Sequence, residues 1–309
     1  MTLITIHNQK GGWRVDLRLL RTFMVAARLQ NFHQAADKLY MAQPTVTSHI
    51  RQLEETLGYP LFERVGKRVR LTPAGERFLP HAAKVIETYE HALQDMTAWR
   101  QGFDSRLRLV VSPLVATSVL PPVLKRFTVA HPRVEVVVLT AASPDVSAAV
   151  AEGQAHIGLS RMPAHLQETA SEVLYQDPVV LVASPAAAVP GQSWHELLAT
   201  QLVMTRNHPV YWDDLLLALA EHQPWMRTLE VDRVDVTKRM VEEGLGVSFL
   251  PRSSVTRELE EGRLVAVPVP DMNLPVAATY MITSTVHPLP EPARQFVALL
   301  REAFASDRA

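Results

Sequence analysis

The spacing of apolar residues changes once along this chain, near residue 105, and this change limits the folds that the chain can adopt. From Leu17 to Trp99 apolar residues recur every three or four positions, the period of α-helices. Beyond residue 105, short runs of Val, Ile and Leu alternate with helical patterns, which predicts an α/β architecture with mostly parallel sheets. The 309 residues suffice for two or three domains, each with its own core.

Three helices are predicted between Asp16 and Leu57. Leu17, Leu20 and Phe23 mark the apolar stripe of the first. Asn31 suits the N-cap of a second helix at 32–39. The third, at 43–57, has Pro44 in its first turn and Gly58 at its end. Two short consecutive helices of this kind are typical of a helix-turn-helix, whose second helix enters the major groove of DNA.

The polar side of the third helix carries short hydrogen-bonding groups and one long cation, which suit base edges and phosphates. The candidate DNA contacts on this helix are Gln43, Pro44, Thr45, Thr47, Ser48 and Arg51. The alternating stretch 61–72 predicts a hairpin, whose candidate phosphate contacts are Arg64, Lys67, Arg68 and Arg70. A merely solvated basic hairpin is the alternative. We favour a DNA-binding wing because the hairpin follows a helix-turn-helix directly.

Charge is distributed unevenly, although the net charge is −1. From Arg14 to Thr72 there are ten Lys and Arg against five Asp and Glu, and from Pro73 onward twenty against twenty-seven. This asymmetry favours a basic N-terminal module on an acidic body, with chance clustering on solvated faces as the alternative.

A long helix is predicted to start at Pro73, capped by Thr72. Its apolar residues alternate spacings of four and three, which is a heptad pattern. They are Phe78, Ala82, Val85, Tyr89, Ala92, Met96 and Trp99. We favour a coiled coil between two chains, because a period of 3.5 residues indicates helix pairing. Packing against the C-terminal α/β part of its own chain is the alternative.

The remainder of the chain alternates predicted strands with predicted helices. Strands are predicted at 107–111, 134–139, 157–160, 173–183, 202–205, 229–231 and 247–250, and helices at 117–130, 144–152, 194–199, 211–222 and 237–243. Sheets of this kind bind ligands beyond the C-terminal ends of their strands. Two sheets in one chain make a cleft between two lobes the expected pocket.

Catalytic motifs are missing from the sequence. It has no cysteine, no Gly-x-Ser-x-Gly, no His-Glu-x-x-His and no phosphate-binding loop, and its twelve histidines lack ligand spacing. We therefore expect no enzyme, no metal site and no cofactor. A solute-binding protein of the periplasmic-binding-protein type is the alternative function. The basic N-terminal module and the lack of a recognisable export signal argue against it.

Residues 17–87 resemble the DNA-binding half of the LysR-type transcriptional regulators. The resemblance rests on Asn31-Phe32-His33-Gln34-Ala35-Ala36, Leu39-Tyr40-Met41-Ala42-Gln43-Pro44-Thr45-Val46-Thr47, Leu61-Phe62-Glu63-Arg64 and Leu71-Thr72-Pro73-Ala74-Gly75. The remainder is similar to the family's effector domain, notably at Gly244-Leu245-Gly246-Val247-Ser248-Phe249-Leu250-Pro251. His33 and His49 depart from the family pattern. They are either phosphate contacts or neutral surface histidines.

This resemblance implies an α+β multidomain fold: an N-terminal winged helix-turn-helix (15–72), a long linker helix (73–104) and a C-terminal two-lobed α/β periplasmic-binding-protein-like effector domain (105–309). Lobe I would comprise about 105–175 and 280–309, and lobe II about 176–279. Residues 1–14 precede the point where the family begins. We expect natural translation to start at Val15, from a GTG codon.

The effector pocket that the resemblance implies lies between the lobes. Its candidate residues are Ser112, Pro113, Leu114, Val115, Ser160, Arg161, Arg206, Asn207, His208, Asp235 and Thr237. Arg161 and Arg206 suit the carboxylate of a small metabolic anion, the effector we expect, unless each belongs to a surface ion pair. The partners implied are double-stranded DNA, this effector, further copies of the chain in a homodimer or homotetramer, and RNA polymerase. The expected location is the cytoplasm, without a membrane.

Overall fold

A computed structural model describes residues 16–65 and 68–305, with backbone only for Val65 and Arg68. Lys67 and the N-terminal extension 1–14, about which the sequence made predictions, lie outside the described residues. The chain divides into two compact units, Met1–Thr97 and Ala98–Ala309.

The first unit contains three short helices, a two-stranded hairpin and most of a long helix. In chain order these are α1 (Leu17–Leu29), α2 (Phe32–Leu39), α3 (Gln43–Leu57), β1 (Phe62–Val65), β2 (Arg68–Leu71) and α4 (Pro73–Arg100). Strands β1 and β2 pair antiparallel. The predicted helix-turn-helix and hairpin are therefore present.

Local capping explains where the helices begin and end. The Asn31 side chain accepts hydrogen bonds from the N–H groups of His33 and Gln34, which would otherwise lack partners at the start of α2. Gly58 ends α3 with a φ of 75°, a left-handed conformation that glycine adopts without a steric penalty. Both roles were predicted from the sequence.

Aromatic side chains connect the elements of the first unit. Phe23 on α1 is fully buried, and its ring centroid lies 5.6 Å from that of Phe62 and 5.5 Å from that of Phe78. Ala82 and Ile86 of α4 are also buried in this core. The N-terminal half of α4 therefore packs as part of the first unit, the winged helix-turn-helix unit (called the winged unit below), and is not a separate linker.

The second unit continues with alternating strands and helices. These are β3 (Ser105–Val111), α5 (Pro113–Ser118), α6 (Leu120–Ala130), β4 (Val134–Thr140), α7 (Ser143–Ala151), β5 (Ile157–Ser160), β6 (Thr169–Ala183), α8 (Trp194–Thr200), β7 (Val203–Thr205), α9 (Trp212–His222), β8 (Thr228–Glu230), α10 (Val234–Glu242), β9 (Val247–Pro251), α11 (Arg252–Glu260), β10 (Val265–Val267), β11 (Val276–Ser284) and α12 (Glu291–Ala303).

Two sequence predictions about this unit need correction. The single helix at 117–130 is two helices, α5 and α6, because Pro121 and Pro122 lack the N–H groups needed to continue a helix from Ser118. The sheet is mixed rather than mostly parallel. Its strand order is β4-β3-β5-β11-β6-β9-β7-β8, with β10 paired to β6, and the pairings of β11 and β6 are antiparallel.

The long strands β6 and β11 run through two hydrophobic cores. One core surrounds β3 and β5 and includes Tyr175 and Met281, and the other includes Val179, Ala277 and the residues around β7 and β9. We call the part around the first core lobe I and the part around the second lobe II. In both lobes the strands β3, β5, β7, β8 and β9 end near loops that carry polar side chains.

Candidate functional site

Helix α3 is two-sided in the way the sequence predicted. Val46, Ile50 and Leu53 are buried against the first unit, which leaves the opposite side of the helix to solvent. The six candidate contacts on this helix are all exposed: Gln43, Pro44, Thr45, Thr47, Ser48 and Arg51. The Arg51 guanidinium lies 3.0 Å from a Glu55 carboxylate oxygen, an exposed pair one turn apart. A weak pair of this kind leaves the guanidinium free to exchange its partner for a phosphate or a base.

The hairpin is fixed to α3 by one partly buried carboxylate. Glu54 Oε1 accepts hydrogen bonds from the backbone N–H groups of Leu61 (2.7 Å) and Phe62 (3.1 Å), which start the hairpin. From the other side, the N–H of Val69 donates to the carbonyl of Gln30. Arg64 and Arg70 are exposed on this anchored hairpin. The side chain of Arg68, like Lys67, is outside the description.

One residue that the sequence prediction missed, Tyr40, adds to this surface. Tyr40 ends α2 in a left-handed conformation, and its side chain is 98% exposed directly before α3. Its exposure depends on the turn geometry, which the sequence did not reveal.

The two histidines that depart from the family pattern differ in their surroundings. His33 is exposed beside Asp37, whereas His49 forms a 2.9 Å hydrogen bond with Thr22 on α1. Of the two, only His33 points freely away from the unit.

The predicted heptad seam of α4 divides into two parts. Phe78 and Ala82 pack in the core of the first unit, so they are not surface residues available to a second chain. Val85, Tyr89, Ala92, Met96 and Trp99 are exposed, as is Leu93. This exposed apolar stretch is unusual for a helix in water, where a stripe of this length is normally covered.

In the second unit, a buried ion pair lies where the lobes meet. Arg161 follows β5 of lobe I, and its guanidinium donates to Asp177 Oδ2 on β6 and to Thr279 Oγ1 on β11, both at 2.8 Å. From lobe II, Ser253 donates its N–H and its hydroxyl to the same carboxylate. Arg161 is 2% exposed and Asp177 is 2% exposed. Both carboxylate oxygens of Asp177 therefore accept hydrogen bonds.

A second buried polar group follows β7. The Asn207 amide bridges Ser248 Oγ (3.0 Å) and the Trp212 indole N–H (3.0 Å). His208 stacks on Tyr211, with ring centroids 4.4 Å apart, and its Nδ1 accepts from the N–H of Val210. Burial and the charge of Arg161 lower the pKa of His208 to about 3. His208 is therefore a neutral ring whose Nε2 carries the proton.

Several side-chain donors among the described residues are buried without a hydrogen-bond partner. Arg161 Nε, His208 Nε2 and the hydroxyl of Ser112 follow strands β5, β7 and β3, and the hydroxyls of Tyr175 on β6 and Ser184 at its end are in the same state. Leaving such atoms unpaired is costly, so they mark the place where a ligand with acceptor atoms would be favoured.

The other predicted pocket residues have contacts of their own. Arg206 is half-exposed and forms ion pairs with Asp213 and Glu230, and Asp235 is paired with Arg233. Thr237 is buried, but its hydroxyl donates to the Arg233 carbonyl of its own helix. Ser160 is buried and accepts from the N–H of Met162. Val115 belongs to the lobe I core, Leu114 packs on lobe II residues around Val255, and Pro113 is exposed.

Asp177, Thr279 and Ser253 were missed by the sequence prediction. Asp177 lies in a stretch predicted only as extended structure. Thr279 lies on β11 and Ser253 in the first turn of α11, and neither element was predicted from the sequence. Only the pairing of β6 with β11 brings the first two side chains to Arg161.

Comparison with known proteins covers both units. The family described as "Bacterial regulatory helix-turn-helix protein, lysR family" matches residues 17–76, and "LysR substrate binding domain" matches residues 100–305. No helix in the described part of the chain combines the length and apolar character needed to cross a bilayer.

Individual relatives are similar over nearly the whole chain. The HTH-type transcriptional regulator CitR of Bacillus subtilis (strain 168) is 41% identical over 271 residues, covering 87% of this chain and 93% of CitR. The Hca operon transcriptional activator HcaR of Escherichia coli (strain K12) is 29% identical and covers 94% and 99%. A crystal structure of full-length CbnR with its target DNA has a TM-score of 0.67 at 21% identity, covering 94% and 100%.

Proposed function

Because this chain belongs to the LysR family of DNA-binding transcriptional regulators, which sense small-molecule effectors, we propose how its own residues divide these tasks. The exposed side of α3 reads bases in the major groove, the hairpin holds phosphates as a wing, and the buried donors between the lobes hold the effector. The observation that carries this proposal is the two-sidedness of α3, whose polar side is exposed over its full length.

A dimer formed along the exposed part of α4 would place two recognition helices in successive turns of DNA, about 34 Å apart. The residues proposed for this contact are Val85, Tyr89, Ala92, Met96 and Trp99, with Leu93 added by the structure. Pairing of effector domains would extend the dimer to a tetramer. Effector binding would then bias the assembly and change its contact with RNA polymerase in the bacterial cytoplasm.

Substitution of one arginine on each DNA-contacting element separates base reading from phosphate binding. Arg51→Ala should weaken binding to the specific site by about 1–3 kcal/mol with little effect on unrelated DNA. Arg70→Ala should weaken binding to all sequences and reduce the slope of log affinity against log salt by about 1. Fluorescence anisotropy at several salt concentrations, on a fragment recovered by genome-wide pull-down, measures both effects.

Arg126→Ala, which removes an exposed arginine from the second unit, is the control and should bind DNA like the wild type. If Arg51→Ala and Arg70→Ala both kept the wild-type affinity and salt slope, the proposed docking would be wrong.

The free buried groups between the lobes favour an acceptor-rich effector, and we propose a small organic anion. The carboxylate of Asp177 is already covered by Arg161 and Ser253, so it does not offer acceptors to a cation. The buried donors that have no partner include Nε of Arg161, Nε2 of His208 and the hydroxyl of Ser112. Charge-assisted hydrogen bonds from such donors are among the stronger ones.

Calorimetric titration of the full chain with organic acids and their neutral amides tests this assignment. His208→Phe should weaken the binding of an acid about tenfold or more, because it removes a buried donor while keeping the stacking on Tyr211. Arg206→Ala is the matched control and should bind normally, since Asp213 and Glu230 hold that guanidinium. Binding of neutral or cationic compounds alone, or a larger loss in Arg206→Ala, would contradict the proposal.

A further inference from the structure

Two histidines and one aspartate that are distant in sequence meet on the surface of lobe II. His195 lies in the first turn of α8, His222 is the last residue of α9, and Asp271 lies in the loop between β10 and β11. One potential ligand atom from each lies within 4.8 Å of those of the other two. Their spacing in the sequence did not indicate this cluster, because only the fold brings the three residues together.

We propose that His195, His222 and Asp271 bind a divalent transition metal ion of the Zn²⁺ type. Two imidazole nitrogens and one carboxylate oxygen are a donor set that zinc accepts, with a solvent molecule as the fourth ligand. The side chains of His195 and Asp271 are 37% and 49% exposed, so an ion can reach them from solvent. The proposal is independent of how the chain binds DNA or its effector.

The distances fit a tetrahedral ion better than a hydrogen-bonded cluster. His195 Nε2 lies 3.5 Å from Asp271 Oδ2, longer than an ordinary N–H···O hydrogen bond. Two ligands of one zinc ion, each about 2.0–2.2 Å from it, are roughly 3.3–3.5 Å apart in tetrahedral geometry. His222, at the end of α9, has its ligand atom within 4.8 Å of the other two, so a small movement of its side chain completes a tetrahedral set.

The Asp271 carboxylate is held in place by Trp194, which is not one of the three proposed metal ligands. Trp194 Nε1 donates to Asp271 Oδ1 at 2.7 Å, which leaves Oδ2 on the side of His195. Metal-binding carboxylates are commonly fixed by such an outer hydrogen bond. The Trp194 ring also packs against both imidazoles, with centroids 3.9 Å from His195 and 5.4 Å from His222. Aromatic packing alone explains the ring positions but not the orientation of Oδ2.

Bound metal would join α8, α9 and the loop that leads into β11. Because β11 is one of the two strands that run through both lobes, the ion would stabilise lobe II next to the junction. A metal that binds the folded state and not the unfolded chain raises the melting temperature, by an amount that grows with the logarithm of the free metal concentration above the dissociation constant.

Zinc binding to the untagged, metal-stripped full chain tests the proposal by calorimetry, by thermal unfolding with Zn²⁺ or Mg²⁺, and by Co²⁺ absorption. We expect one zinc per chain, a higher melting temperature with Zn²⁺ only, and a tetrahedral Co²⁺ spectrum. His222→Asn and Asp271→Asn should each weaken binding by more than about tenfold. Asparagine at 271 keeps an acceptor for the Trp194 indole, so folding, checked by circular dichroism, should be retained.

His287→Asn, which removes an exposed histidine outside the cluster, is the matched control and should bind zinc like the wild type. The proposal is overturned if the wild type binds no zinc, if the cluster variants bind as the wild type does, or if His287→Asn loses as much affinity as they do. A stoichiometry of half an ion per chain would also overturn it as a site within one chain.

Discussion

Replacing Asp177 by alanine is expected to lower the free energy of unfolding of the second unit by about 3–5 kcal/mol. The guanidinium of Arg161 would then remain buried without a counter-charge, and Ser253 would lose the acceptor of both its hydrogen bonds. Removing one partner of a buried pair costs more than the pair contributes, because the remaining charge is still desolvated. Denaturant unfolding followed by circular dichroism measures the change.

A double variant shows whether the loss comes from the unpaired charge. Arg161→Met in the Asp177→Ala background should recover much of the stability, since neither buried charge remains. Asp104→Ala, which breaks the exposed pair with Arg133, is the control and should change little. An Asp177→Ala protein as stable as this control would show that the pair is not buried in solution.

Phe23→Ala is expected to destabilise the winged unit by about 3–5 kcal/mol and to abolish DNA binding at physiological temperature. The ring is fully buried and contacts Phe62 at the start of the hairpin and Phe78 on α4. Its removal leaves a cavity at the point where the helix-turn-helix, the wing and α4 meet. Differential scanning calorimetry and DNA binding by the same preparation measure the two effects.

Phe127→Ala is the matched control in the other unit, where the ring is also fully buried and packs edge-on against Phe296. It should lower the melting transition of the effector domain and leave that of the winged unit in place. If both substitutions shifted one common transition equally, the units would not unfold separately as the division at Thr97 and Ala98 indicates.

The parts of the fold that were predictable depend on contacts close in sequence. Asn31 caps α2 through N–H groups two and three residues away, and Gly58 ends α3 through its own backbone. The apolar stripe of α3 repeats within one helix, so its exposed side could be assigned residue by residue. Predictions failed where a distant element decided the outcome, as for Phe78 and Ala82, which the heptad pattern alone assigned to a second chain.

The candidate functional residues of the second unit likewise include some that the sequence indicated and some that only distant contacts reveal. Arg161 was a candidate because the resemblance to the family implies pocket residues at the end of this strand. Its contacts were not predictable, because Thr279 lies 118 residues away along the chain and Asp177 reaches it only since β5 and β6 both pair with β11. Arg206 stands at an equivalent strand end and looked equally suitable, yet Asp213 and Glu230 hold it at the surface.

The sequence by itself determined the family, the order of most elements and the exposed face of α3 that we propose for DNA binding, because helical periodicity, caps and turns are encoded within a few neighbouring residues. Tertiary structure alone decided which charges are neutralised, which donors stay free between the lobes, and that His195, His222 and Asp271 meet. These outcomes depend on how side chains from separate elements are brought together and shielded from water, since the strength of an ionic or polar contact is set by its burial and its partner.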